Sequence, residues 1–157
     1  MGMREYNAGN KTTRLVGKWE FRKGGYSKKT ENYIYVGAAK SPAEMTGLSI
    51  PIRENPGPGE YRYITFAWVK WGGEQIGMKF HVSEKSASQK GKKYDFTYIA
   101  GEPKDLINQL KGLDLGDKPG HWMVMTRDLW KDFGNITLTG MSFICPERRD
   151  AGFDEIF

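Results

Sequence analysis

Six side chains on one stretch of the chain have types and spacing suited to holding a sugar. Residues 60–82 place two long, apolar-rich runs on either side of Gly72-Gly73, a strong signal for a two-residue hairpin turn. With Trp71 facing Glu74, Val69 pairs with Ile76, Ala67 with Met78, Thr65 with Phe80 and Tyr63 with Val82. That face is nearly all apolar and is expected to join the core. The opposite face then carries Ile64, Phe66, Trp68 and Lys70 from the first run and Gln75, Gly77, Lys79 and His81 from the second. A flat indole such as Trp68, with Phe66 beside it, stacks on the C–H face of a sugar ring, while Lys70, Gln75, Lys79 and His81 hydrogen-bond its hydroxyls. Gly77 opposite Trp68 leaves room for the ring. A second reading needs no ligand: Phe66 and Trp68 pack beneath a loop or against a short helix. A one-residue register shift changes the cross-strand partners but keeps the alternation.

Other chemistry is thinly supplied. There is no G-x-S-x-G elbow, and Cys145 lies inside an apolar run where a neutral, buried thiol is expected. Neither a P-loop nor a G-x-G-x-x-G turn opening a helix occurs, and His81 and His121, 40 residues apart, do not make a zinc motif. A single cysteine also excludes an internal disulfide, a Cys-based zinc site and a C-x-x-C-H haem attachment. Among 19 acids some pair can always sit about 5 to 10 Å apart, so a glycoside hydrolase stays open as an alternative without residues to assign. Basic runs at Arg22-Lys23, Lys28-Lys29 and Lys90 to Lys93 interleave with Tyr26 and Tyr94, a pattern compatible with single-strand binding. No RNP-like motif accompanies them, and nucleic acid is not the expected partner. The residues point to a binding protein without a catalytic centre and without a cofactor.

The elements that must position these residues are short. Segments heavy in aromatic and β-branched residues recur at 15–21, 32–36, 48–52, 60–71, 74–82, 93–99, 122–126, 135–145 and 152–157, between Gly, Pro and Lys clusters. That spacing predicts an all-β protein; nine segments favour two packed antiparallel sheets, a β-sandwich, with a closed barrel as the competitor that local text does not distinguish. Residues 53–59, RENPGPG, form a stiff turn because proline fixes φ and removes a donor. Residues 83–92 carry no large apolar side chain and read as a surface loop. Residues 105–111 have helical spacing, with Leu106, Ile107 and Leu110 on one side and Gly112 as the stop. Asp128 to Phe133 reads as a helical turn, started by an acid and ended by Gly134. Residues 1–13 are a loose lead-in, and 14–157 form the sandwich domain, a length that suits one core. Tyr63, Val69, Ile76, Met78, Phe80, Val124, Leu138 and Phe153 are the expected core.

Three stretches of text resemble a domain found in large secreted or periplasmic proteins of planctomycete-type bacteria. They are FAW-x-K-x-GG from Phe66 to Gly73, V-x-TRDL-x-x-DFG-x-x-TLTG from Val124 to Gly140, and FD-x-I from Phe153 to Ile156. Such domains look like jelly-roll sandwiches related in architecture to carbohydrate-binding modules. The chain departs from the pattern around Asp105 to Asp117, which is more helical, and at PERRDAG, which replaces a simpler glycine turn.

The resemblance implies a fold more than a function; the aromatic-plus-polar face points to non-catalytic carbohydrate binding, with a structural or protein-interaction module that docks a neighbouring domain of a larger protein through the same face as the alternative. Jelly-roll binding modules often tie their first and last strands with a structural calcium ion, and Asp154 resembles a common ligand position, with Glu20 as a second candidate; the other reading is that Asp154 caps or pairs on an edge strand. An extracellular or periplasmic setting follows from the resemblance, although the start MGMREYNAGN has no signal-peptide h-region. No apolar run approaches the ~20 residues of a membrane span. With 24 basic residues against 19 acidic ones, the chain carries +5, which mildly favours an acidic polysaccharide or glycan.

Overall fold

Alternation of branched or aromatic residues with small or polar ones builds the strands. The computed structural model describes residues 14–16, 20–26, 32–37, 43–83, 96–102, 107, 112–146 and 150–156. The strands are β1 (Arg14–Val16), β2 (Glu20–Lys23), β3 (Asn32–Val36), β4 (Ala43–Ile52), β5 (Tyr63–Trp71) and β6 (Gln75–Val82). They continue with β7 (Phe96–Gly101), β8 (Leu113–Asp114), β9 (Met123–Asp128), β10 (Ile136–Ile144) and β11 (Asp150–Asp154). One sheet, A, has the order β1-β4-β10-β6-β7-β8, and the other, B, has β2-β3-β11-β5-β9. All pairings are antiparallel except the short contact of β7 with β8.

With β1, β2 and β8 set aside, the remaining eight strands run first, eighth, third, sixth in sheet B and second, seventh, fourth, fifth in sheet A. This is the double Greek key of a jelly roll. It sends the chain from one sheet to the other at nearly every connection. The expected strand at 15–21 is accordingly cut in two, with β1 on the edge of sheet A and β2 on the edge of sheet B.

The expected β5–β6 hairpin is corrected by this topology. β5 pairs with β11 and β9, whereas β6 pairs with β10 and β7. Gly72 and Gly73 do take the left-handed conformation, at φ 73° and 70°, but the turn they make is an arch between sheets. In a two-residue hairpin, residues 69 and 76 share a face; across the arch, even-numbered residues of both strands point inward. Ile64, Phe66 and Trp68 therefore meet Met78 and Phe80 in one core. Tyr63 and Val124, both expected inside, are 57% and 40% exposed. Val69 is buried, but on the outer face of sheet B. Ile76, Met78, Phe80, Leu138 and Phe153 are in the core as expected.

Aromatic contacts bind the sheets together. Phe66 lies edge-on to Trp68, with centroids 5.1 Å apart, and stacks on Tyr98 of sheet A at 6.3 Å. Phe143 and Phe153 meet across the interior at 4.8 Å. Helix α1 (Leu129–Phe133) closes one end, its Phe133 stacked on Phe96 at 4.5 Å. Asp128 caps it by accepting the Lys131 N–H, and Gly134, at φ 78°, ends it by donating to Trp130 O. Beside it, Arg127 and the Tyr98 hydroxyl both donate to Asp132, and burial with that carboxylate pushes the Tyr98 phenol far above its usual range. Of the expected helix at 105–111, only Ile107 is described; it is helical and its carbonyl accepts the Gly112 N–H. The lead-in at 1–13 and most of the loop at 83–92 lie outside the described residues. Among the described residues, no helix is long and apolar enough to cross a membrane.

Arg62 donates twice to Asp128 Oδ2, at 2.9 and 2.7 Å. This hydrogen bonding holds the Asp128 carboxyl below its ordinary value of 3.8. Between the folded and unfolded values the unfolded chain binds more protons, so the pair's contribution is whole above 3.8 and is lost as pH falls through the lowered folded value. Asn caps helices as well as Asp does, so Asp128→Asn isolates the charge pair. Urea unfolding should show the variant less stable than wild type at neutral pH, with the difference vanishing in acid. A difference that persists at acid pH would assign the loss to the cap instead.

Candidate functional site

The six residues expected on one ligand face are split by the topology. Phe66, Trp68 and Lys70 point between the sheets, and Trp68 is only 1% exposed. No sugar can reach its ring. Among the described residues its indole N–H has no hydrogen-bond partner. Lys70, also buried, extends along the interior to place Nζ 3.5 Å from Cys145 Sγ. Gln75, Lys79 and His81 lie on the other side of the molecule, on the outer face of sheet A. The aromatic-plus-polar face built on Trp68 is thus corrected, and the cause is the arch at Gly72-Gly73.

Among the described residues, His81 invites comparison with hydrolytic geometry. Its Nε2 is 2.6 Å from Ser142 Oγ and 3.7 Å from Glu44 Oε1. A catalytic triad needs the acid on Nδ1 and an accessible hydroxyl. Here both partners sit on one nitrogen, and Ser142 is 2% exposed.

The outer face of sheet B has a different character. Register places Tyr35 beside Gly152, and Gly152 beside Val69. Trp122 follows Val69 in the same row, one step before β9. Because strand side chains alternate, Tyr33, Tyr35, Trp71 and Trp122 all project outward. Trp71 and Trp122 meet edge-on at 5.9 Å, and Tyr33 touches both, at 5.7 and 5.3 Å. Gly152 is the floor beneath them: a Cβ there would lie 2.9 Å from Cη2 of each indole and 3.1 Å from Val69 Cγ1. Trp71 remains 39% exposed.

Polar groups border this patch. The Arg22 guanidinium lies 3.2 Å over the Tyr35 ring and pairs with Glu20. Asp150, opposite Trp71 in register, lies close enough to the Tyr35 hydroxyl to act on it. Burial raises the Tyr33 and Tyr35 phenols, and Asp150 raises Tyr35 further. Both hydroxyls therefore stay protonated at physiological pH, able to donate and accept. The patch combines an apolar platform with a few placed polar groups, the composition of a small-ligand surface.

The sequence contained a signal for this patch. NYIYV alternates Tyr33 and Tyr35 with the core residues Ile34 and Val36, which places two phenols on one solvent-side face. Trp71 was obscured by its place next to the glycine pair, and Trp122 by a run that looks apolar on both faces.

Glu20 and Asp154 share this outer face but not a site. They are two strands apart, with β3 between them. Glu20 pairs with Arg22, while the Asp154 carboxylate accepts the Tyr26 and Glu155 N–H groups at 2.9 and 2.8 Å. Gly25 makes this tie possible, since a Cβ there would collide with Asp154 Oδ2. Among the described residues, no three His, Cys, Asp or Glu side chains gather as a metal site would require.

No protein-family model and no curated protein matches the chain. Among solved structures it is similar to a family 11 carbohydrate-binding module from Clostridium thermocellum in complex with a β-1,3-1,4-mixed-linked tetrasaccharide. Identity is 12% and the TM-score 0.43, over 92% of this chain and 85% of that one. A second similar structure is the family 11 module of a cellulosomal cellulase of the same organism, at 12% identity and a TM-score of 0.41, over 92% and 84%.

Proposed function

We propose that the protein is a non-catalytic carbohydrate-binding module whose ligand lies on the outer face of sheet B, over Tyr33, Trp71 and Trp122. The observation that carries this reading is the open aromatic cluster above Gly152, bordered by Tyr35, Arg22 and Asp150. Indole and phenol rings supply faces for the C–H side of sugar rings, and the bordering groups supply donors and acceptors for hydroxyls. An extracellular or periplasmic setting, where polysaccharide is met, fits this role.

Affinity gels and a glycan array with wild type and Trp71→Ala test it. Trp71 is exposed, so the variant should fold and retain most of its stability. By analogy with stacking on a base, loss of one platform ring should remove about 1–3 kcal/mol, roughly 5- to 150-fold in affinity. Gly152→Ala, which must push both indole tips aside, should weaken binding in the same direction. Retention of full affinity by Trp71→Ala would move the site elsewhere. No binding to any glycan would favour an interaction module that docks a neighbouring domain, and steady release of reducing ends would reveal a glycosidase.

A further inference from the structure

The charge pattern of this face narrows the ligand class, and this step rests on the carbohydrate reading above. Among the described residues, the outward positions of the sheet B strands carry four acids, Glu20, Asp128, Asp150 and Asp154, against one base, Arg22. Arg22 is already paired with Glu20 and laid on Tyr35. Arg62, at the rim, is paired with Asp128 at 2.7 Å. The described strand positions of this face are therefore net acidic, although the whole chain is +5. The aromatic row itself runs across the strands from the start of β9 over β5 and β11 to β3, three interstrand steps or about 14 Å.

We infer that the site selects neutral polysaccharides, taken as several linked rings laid across the strands, and rejects uronate and sulfated chains. A polyanion crossing the row meets Asp150 beside Trp71 and, among the described strand positions of this face, finds no guanidinium without a carboxylate partner. Arg22 cannot turn to it without leaving Glu20 and the Tyr35 ring. This reverses the preference for acidic glycans that the overall charge suggests.

The test compares retardation in gels of hydroxyethylcellulose and arabinoxylan with retardation in gels of alginate and polygalacturonate. Wild type and Trp71→Ala are run side by side at one moderate salt concentration, so that attraction to basic surface elsewhere is common to both and cancels while the charges of this face still act. The quantity read is the part of the retardation that Trp71→Ala abolishes. It should appear in at least one neutral gel and be at least tenfold weaker in both acidic gels. Asp150→Asn, which removes the charge at nearly unchanged size, should narrow that ratio. Retardation that depends on Trp71 and is as strong in an acidic gel as in the neutral ones overturns the inference while leaving carbohydrate binding standing. Absence of Trp71-dependent retardation in every gel removes both.

Discussion

Replacing Trp68 with alanine is expected to destabilise the protein by about 3–5 kcal/mol, the usual cost of emptying a buried aromatic site. The ring is 1% exposed and lies edge-on to Phe66, which in turn stacks on Tyr98 of the opposite sheet. Its removal opens a cavity where the two sheets touch. Trp68→Phe should cost far less, and not only because it keeps a ring. The indole N–H has no partner among the described residues, and a buried donor in that state costs about 1–3 kcal/mol, which phenylalanine does not bear. Urea unfolding should show both variants with a lowered midpoint and an unchanged slope. A change within about 0.5 kcal/mol for Trp68→Ala would put the ring on the surface.

Gly101→Ala is expected to be at least as damaging, about 4 kcal/mol or more, because the obstacle is backbone. Gly101 ends β7 opposite Gln75, at φ 106°, and donates its N–H to Gly116 O. A Cβ there would overlap the Glu74 carbonyl oxygen and lie 2.9 Å from its carbon. No side-chain rotation relieves that contact; the arch from Trp71 to Gln75 must move. Gly59→Ala is the control. Gly59 has φ 77°, and a Cβ added to it would meet nothing within 4 Å, so the substitution should cost only the left-handed penalty of about 1–2 kcal/mol. Equal losses at both positions in thermal or urea unfolding would show that the arch yields freely.

The contrast between these residues explains what could be read from the sequence. Alternation within a strand is a local property, and every one of the nine expected segments contains a strand. The cap at Asp128 and the stop at Gly134 are local too, and α1 forms where they place it. Which strand lies beside which is not local. Gly72-Gly73 demands two left-handed residues, and both an in-sheet hairpin and an arch between sheets meet that demand. The hairpin also conflicts with the jelly roll that the resemblance implies, because that topology puts its third and fourth strands in opposite sheets. Choosing the hairpin inverted the faces of β5, sending Trp68 outward and Tyr63 inward. The error then passed to Val124, which sits opposite Ala67 and shares its face. The aromatic patch is not legible locally for the same reason: it joins Tyr33, Trp71, Trp122 and Gly152, residues brought together only by the order β3-β11-β5-β9.

The indole N–H signals of the protein, followed by two-dimensional NMR during titration with the oligosaccharide that binds best on the array, test the central claim most directly. Assignment by single Trp→Phe variants separates the rings. Trp71 and Trp122 should shift progressively and saturate together, while Trp68, between the sheets, and Trp130, on α1, stay in place. A titration that moves the Trp68 signal and leaves Trp71 and Trp122 unchanged would contradict a ligand face on the outside of sheet B.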